Sequence, residues 1–272
     1  MRRAPATAKL NLALVVGPLG TDGKHEVTTV LQRLALCDRV QVEPAERLRV
    51  RGFADDTLVG RALELLAGEA GIEPAWEARI TKRIPVAAGL GGGSSDAATA
   101  LRLANETLPE PLSPTRLLEL AAQLGADVPC FLANDPQLGE GDGSRLTPLE
   151  LPQDYWVVLL QPDGEQKRST ADVYARFDEC NGAEGYTERR AGLITTLAAV
   201  SRPRDLAGLP SNDLASSPIA KELRALGAFR ADVTGAGPVV YGLFHQQAAA
   251  KAARRSLRSR GRTWLTLPAW YV

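Results

Sequence analysis

The chain has 272 residues, 44% hydrophobic and 24% charged, with 32 basic residues against 32 acidic ones. That composition predicts a water-soluble globular protein of one large or two smaller domains, and the balanced charge excludes an overall field that would favour nucleic acid or an anionic membrane. Cys37, Cys130 and Cys180 are odd in number, far apart and without CxxC spacing, which argues against a disulfide framework or a zinc site and for a reducing cytoplasm.

Arg2 and Arg3 precede LNLALVV, a faint imitation of a secretion signal. Asn11 interrupts the run and no cleavage site follows, and no segment reaches the length of a membrane span. Alternation in TAKLNLALVV predicts a strand with Ala8, Leu10, Leu12, Leu14 and Val16 on one face. Lys9, Asn11, Ala13 and Val15 then share the other, so Lys9 and Asn11 point the same way. After the turn-rich GPLGTDGKHE, the stretches TTVLQRLAL, RVQVEP and RLRVRGF read as further short strands. Asp56 or Thr57 caps an expected helix through LVGRALELLAGEAG, ended by Gly71. WEARITKRI alternates Trp76, Ala78 and Ile80 against Glu77, Arg79 and Thr81, a half-buried strand leading into PVAAGLGGGSSDAATALRLAN. SPTRLLELAAQLG then carries Ser113 as cap, Pro114 at the first helical position and Gly125 as stop. Asp127 follows just beyond.

The texture changes near residue 150, which suggests a division into residues 1–150 and 151–272. LPQDYWVVLLQP predicts a buried strand, STADVYARFDE a helix, and residues 187–199 and 214–226 two more. An exposed loop is expected over 179–188. ADVTGAGPVVYGLF reads as two strands around a Gly-Ala-Gly-Pro turn, followed by a basic helix, QQAAAKAARRSLRSR, and a closing strand, RTWLTLPAWYV.

The order strand, glycine loop, helix at residues 76–105 is the arrangement of an anion cradle. Glycine admits close backbone approach and positive φ, and the helix mouth offers unpaired N–H groups. A plain glycine-rich turn is the simpler alternative. A Walker A loop is excluded, because Gly93 is followed by Ser94 with no lysine. The dinucleotide fingerprint fits poorly, with Ser94 where a third glycine belongs.

The string PVAAGLGGGSSDAA resembles the phosphate-binding motif of the GHMP kinases. PATAKLNLAL at 5–14 and VTGAGPVVYGLF at 233–244 are similar to that superfamily's first and third motifs. Within it, AKLNL, DGKHEV, IPVAAGLGGGSSDAA, LGADVPCFL and STADVY resemble the 4-diphosphocytidyl-2-C-methyl-D-erythritol kinase family. The resemblance implies an α+β, two-domain GHMP kinase fold with the active cleft between the halves. It also implies ATP and Mg²⁺ as cofactors, and phosphorylation of a small cytidine diphosphate alcohol.

Residue by residue, the resemblance makes Asp127 the catalytic base and Lys9 the cation that holds it ionised and stabilises developing charge. It assigns Pro85, Val86, Ala87, Ala88, Gly89, Leu90, Gly91, Gly92, Gly93, Ser94 and Ser95 to the ATP phosphates, with the Ser95 hydroxyl on Mg²⁺. Asn11, Lys24, His25, Thr170, Tyr174, Gly235 and Gly237 fall at substrate positions. His25 is expected to hydrogen-bond the cytosine, and Tyr174 to stack on it. The chain departs from the family pattern twice, with Lys24 where a tyrosine is usual and Ser144 where GEGDGSRL commonly has a glutamate. Lys24 leaves open a GHMP kinase with another acceptor, and a non-catalytic nucleotide-binding relative is a further alternative. A monomer or homodimer is expected.

Overall fold

A computed structural model describes residues 1–53, 58–164 and 169–269. The expected cap at Asp56 or Thr57 lies outside them. Strands β1 (Arg2–Leu19) and β2 (His25–Pro44) form a long antiparallel pair. TTVLQRLAL and RVQVEP, expected as separate strands, are therefore one. The charges that look like interruptions are accommodated by partners remote in sequence. Arg33 donates to Thr7 Oγ1 and to Asn134 Oδ1, and Asp38 is met by Lys82.

The alternation in β1 is broken by a bulge. Asn11 pairs with Leu31 and Ala13 with Val30, which leaves Leu12 as an extra residue, and such an insertion swaps the faces that follow it. Leu10 and Leu12 share an apolar cluster with Ala13 and Val15, whereas Leu14 and Val16 join Val27 and Phe177 in another. The single-faced set expected for Leu10 through Val16 is corrected accordingly.

On its side away from β1, β2 pairs near one end with β4 (Trp76–Thr81) and near the other with β5 (Gln137–Gly141). β3 (Arg49–Arg51) runs parallel to β4, and β6 (Arg145–Pro148) completes the six-stranded sheet. GEGDGSRL forms the β5–β6 hairpin. Its glycines permit tight pairing, since a Cβ at Gly139 would stand 3.0 Å from Gly143 O. Helices α1 (Leu58–Ala70), α2 (Gly92–Asn105) and α3 (Pro114–Leu124) cover the sheet. They bury Val59, Leu63, Leu66, Leu101 and Leu120 with Val42, Ala78 and Ile80. α3 starts and stops as expected, with Ser113 accepting the Arg116 N–H.

After residue 150 a second antiparallel sheet is ordered β10-β7-β9-β8, from β7 (Trp156–Pro162), β8 (Arg230–Val233), β9 (Val240–Phe244) and β10 (Gly261–Thr266). Helices α4 (Thr170–Glu179), α5 (Tyr186–Ala198), α6 (Pro218–Ala225) and α7 (Gln247–Ser256) accompany it. α6 is shorter than the expected 214–226. Ser217 caps it through the Ile219 N–H and Pro218 occupies the first turn, so the helix cannot extend backward. The expected loop over 179–188 is shortened by α5, which begins at Tyr186.

The two sheets share a core in which Leu10, Leu12 and Val30 pack with Val157, Leu159, Tyr241 and Leu243. Buried Arg230 fastens the halves. Its guanidinium donates to the carbonyls of Leu12, Leu206, Leu209 and Pro210 and to Tyr241 Oη. Strand β1 is thereby held against the second sheet with its Lys9 and Asn11 side chains facing the cleft.

Candidate active site

The glycine loop is anchored by buried charges before it begins. Lys82 Nζ lies 2.5 Å from Asp38 Oδ2 and 2.8 Å from Asp96 Oδ2, and both carboxylates are fully buried. Asp38 Oδ1 also accepts the N–H groups of Arg83 and Ile84. One lysine thus ties β2, the loop entrance and the first turns of α2 together. Burial opposes its charge, but the two carboxylates prevail and raise its pKa above the ordinary lysine value.

From there the backbone takes left-handed conformations at Ala87, Gly89 and Gly91. Gly89 and Gly237 are required by close approach as well. A Cβ on Gly89 would stand 2.7 Å from Thr234 O, and one on Gly237 2.5 Å from Ala88 O. The two glycine-rich segments therefore lie back to back. Gly91 is crowded by side chains, where a Cβ would meet Phe131 Cζ at 2.7 Å and Lys9 Cγ at 3.1 Å. The turn carrying Asp127 is seated against the mouth of α2 in this way. The first internal helical bond runs from the Ser95 N–H to Gly91 O. The N–H groups of residues 92–94 have no acceptor within the helix, and the positive end of its dipole opens into the cleft.

Lys9 is buried beside this mouth. Its ammonium lies 2.8 Å from Asn11 Oδ1 and 3.3 Å from Asp127 Oδ2, and the Asp127 side chain is 46% exposed. Asn11 is fixed by donating through Nδ2 to Thr29 Oγ1 and through its backbone N–H to Thr234 Oγ1. Gly235 completes the arrangement with a left-handed backbone, where a Cβ would stand 3.3 Å from Asn11 Oδ1. The result is an exposed carboxylate paired with a dry, immobilised ammonium next to an anion cradle. That set can accept a proton from a hydroxyl and neutralise a phosphoryl group in transfer.

The cleft has a volume of about 570 Å³ and is lined by Lys9, Asn11, Asp127, Thr170, Tyr174, Gly235, Gly237 and the loop from residue 85 to 94. Most residues singled out from the sequence meet there. Burial, and secondly the charge of Asp127, push the Tyr174 phenol up to about 12, so it remains a neutral donor. Three expected residues stand outside the wall. Ser95 is buried in α2, and its Oγ has no partner among the described residues. His25 lies behind the wall, with Nδ1 2.9 Å from Gly17 O and Nε2 3.3 Å from Asp178 Oδ2. Tyr174 and Phe177 pack on its ring at 4.9 and 5.8 Å between centroids. Lys24 turns to the surface and pairs with Asp142.

Sequence reading missed Lys82, Asp38, Asp96, Thr29 and Thr234, which hold the site, and Asp142, which lines it. The spacing of Asp96 after the glycine loop was the one local signal. The others are ordinary residues made significant by partners far along the chain.

Two family models match, GHMP kinases N terminal domain over residues 57–134 and GHMP kinases C terminal over 211–263. The 4-diphosphocytidyl-2-C-methyl-D-erythritol kinase of Geobacter sp. (strain M21) is 36% identical over 275 residues, covering 94% of each chain. This chain belongs to the 4-diphosphocytidyl-2-C-methyl-D-erythritol kinase family of GHMP kinases. A crystal structure of 4-(cytidine 5'-diphospho)-2C-methyl-D-erythritol kinase superposes with a TM-score of 0.80 at 31% identity, covering 98% of this chain and 99% of the other. A mevalonate kinase crystal structure, TM-score 0.76 at 13% identity and covering 98% and 99%, shares the fold. Membership makes the chain a kinase of the α+β GHMP fold and implies ATP as phosphoryl donor. Among the described residues no helix is long and apolar enough to cross a membrane.

Proposed function

We propose that this kinase transfers the γ-phosphoryl group of ATP to the 2-hydroxyl of 4-diphosphocytidyl-2-C-methyl-D-erythritol, in the non-mevalonate route to isoprenoids. The observation that carries the reading is the Lys9–Asp127 ion pair set against the mouth of α2. As the substrate hydroxyl oxygen attacks the γ-phosphorus, Asp127 accepts its proton and the bond to the β-phosphate oxygen breaks, releasing ADP. Lys9 offsets the charge that gathers on the migrating group, and the N–H groups of residues 92–94 hold the phosphates in place.

Mg²⁺ fits this arrangement. No group of three or more acidic, histidine or cysteine side chains among the described residues forms a protein cage, and Mg²⁺ in kinases is held by phosphates with one or two protein groups. The unpartnered Ser95 hydroxyl and the cleft-facing Ser94, both at the loop's end, are the residues to hold it. When bound, the ion draws charge from the phosphate oxygens.

Tyr174, Thr170, Asn11, Gly235 and Gly237 are proposed to receive the cytidine compound, with His25 supporting the Tyr174 ring from behind. We place the enzyme in the cytoplasm, as a monomer or homodimer with its division near residue 150. The test is an acceptor panel containing the cytidine compound, mevalonate, homoserine and sugar alcohols, with ADP release as readout. Preference for the cytidine compound supports the reading; preference for a cytidine-free acceptor, or ATP binding without transfer to any acceptor, contradicts it.

A further inference from the structure

Lys24 and Ser144, the two residues that depart from the family's pattern, sit in separate turns and both end on one carboxylate. Lys24 Nζ lies 2.5 Å from Asp142 Oδ2. Ser144 donates its backbone N–H at 3.1 Å and its hydroxyl at 2.6 Å to Oδ1. Asp142 lines the cleft, whereas the Lys24 side chain is 60% exposed outside it. The group offered to a ligand is therefore the carboxylate.

Its place in the cleft identifies what it meets. Adjacent Gly143 lies against Val27, with 3.5 Å from a Cβ there to Val27 Cγ2. Val27 belongs to the apolar cluster on which Tyr174 packs. The turn bearing the carboxylate and the Tyr174 ring thus border one apolar cluster of the cleft wall. The other aromatic side chain in the wall, Phe53, sits near Lys82 at the loop. Ring faces stack on nucleobases. Hydrogen bonds from Lys24 and Ser144 hold the Asp142 carboxyl down at about 2, so it is an acceptor only at any working pH. Three donors already occupy it, which leaves capacity for one more. Lys24 offsets its charge, so a diphosphate nearby is not repelled.

Cytosine presents an amino group where uracil presents a carbonyl oxygen, and a carboxylate accepts from the first and repels the second. We propose that Asp142, held by Lys24 and Ser144, reads the exocyclic amino group of the substrate's cytosine and makes the enzyme selective for cytidine over uridine head groups. This rests on the substrate reading above and supplies a specificity residue for it.

The experiment compares kcat/KM for 4-diphosphocytidyl-2-C-methyl-D-erythritol and its uridine counterpart. The unmodified enzyme is expected to prefer the cytidine compound by at least about tenfold. Asp142→Asn, whose amide can turn either an oxygen or an N–H to the base, is expected to cut that preference about tenfold, the loss on cytidine falling on KM rather than kcat. Should Asp142→Asn fail to fold, Ser144→Ala takes its place and is expected to raise KM for the cytidine compound alone. An active Asp142→Asn with an unchanged preference overturns the inference. So does equal loss on both head groups, which would assign the carboxylate to the ribose hydroxyls or to structure. An unmodified enzyme that does not phosphorylate the cytidine compound overturns the substrate reading instead.

Discussion

Lys9 Nζ lies 3.3 Å from Asp127 Oδ2 in the cleft wall, the lysine side chain nearly buried and the aspartate half-exposed. The strand supplies a cation it cannot withdraw, because Asn11 and the Leu90 carbonyl fix the residue from either side. The turn after α3 supplies a carboxylate that a substrate can reach. Lys9→Met is therefore expected to lower kcat by about 10²–10³, as loss of one charge-stabilising group does. Affinity for an ATP analogue, measured by calorimetry, should change less than about threefold, because the phosphates are held by main-chain donors.

Gly91 carries three requirements at once: positive φ, contact with Phe131 and contact with Lys9. Gly91→Ala is expected to destabilise the fold by about 1–3 kcal/mol, read from denaturant midpoints, since the new methyl group cannot fit without displacing the ring. Turnover should fall further than stability explains, because displacing Phe131 shifts the turn bearing Asp127. Gly93 is the control. A Cβ there meets nothing and its φ is not left-handed, so Gly93→Ala should leave stability within about 0.5 kcal/mol.

Lys82→Met leaves two buried carboxylates without their cation and is expected to cost about 3–5 kcal/mol. The pH dependence has a definite sign. The pKa of Lys82 is raised in the folded state, so its stabilisation is complete below about 10.5, the unfolded value. It is lost as pH rises through the folded value. The stability gap between unmodified protein and Lys82→Met should be constant from neutral pH to about 10 and narrow above it. A gap that stays unchanged well above pH 10.5 would contradict the assignment.

Much of the fold was legible because it is written in local pattern. Trp76, Ala78 and Ile80 show their buried face by alternation, and Ser113, Pro114 and Gly125 mark both ends of α3 by cap chemistry. The glycine loop was legible for the same reason, since positive φ and close approach leave few residue types. What was hidden depends on distant partners. Asp38 and Arg33 break the apolar pattern of β2, and only Lys82, Thr7 and Asn134 in place explain why the strand runs on. The bulge at Leu12 follows from its pairing with β2, which no property of TAKLNLALVV announces. His25 was expected at the cytosine, yet its two ring nitrogens face Gly17 and Asp178 behind the cleft wall, an outcome set by how α4 packs.

The most direct test of the account is ³¹P NMR of the product formed from ATP, Mg²⁺ and 4-diphosphocytidyl-2-C-methyl-D-erythritol, with the unmodified protein beside Asp127→Asn. The account predicts a new phosphomonoester on the 2-hydroxyl with the unmodified protein. With the variant it predicts a rate lower by about 10²–10⁴ while ATP binding persists. A variant that forms the same product at an undiminished rate would contradict it.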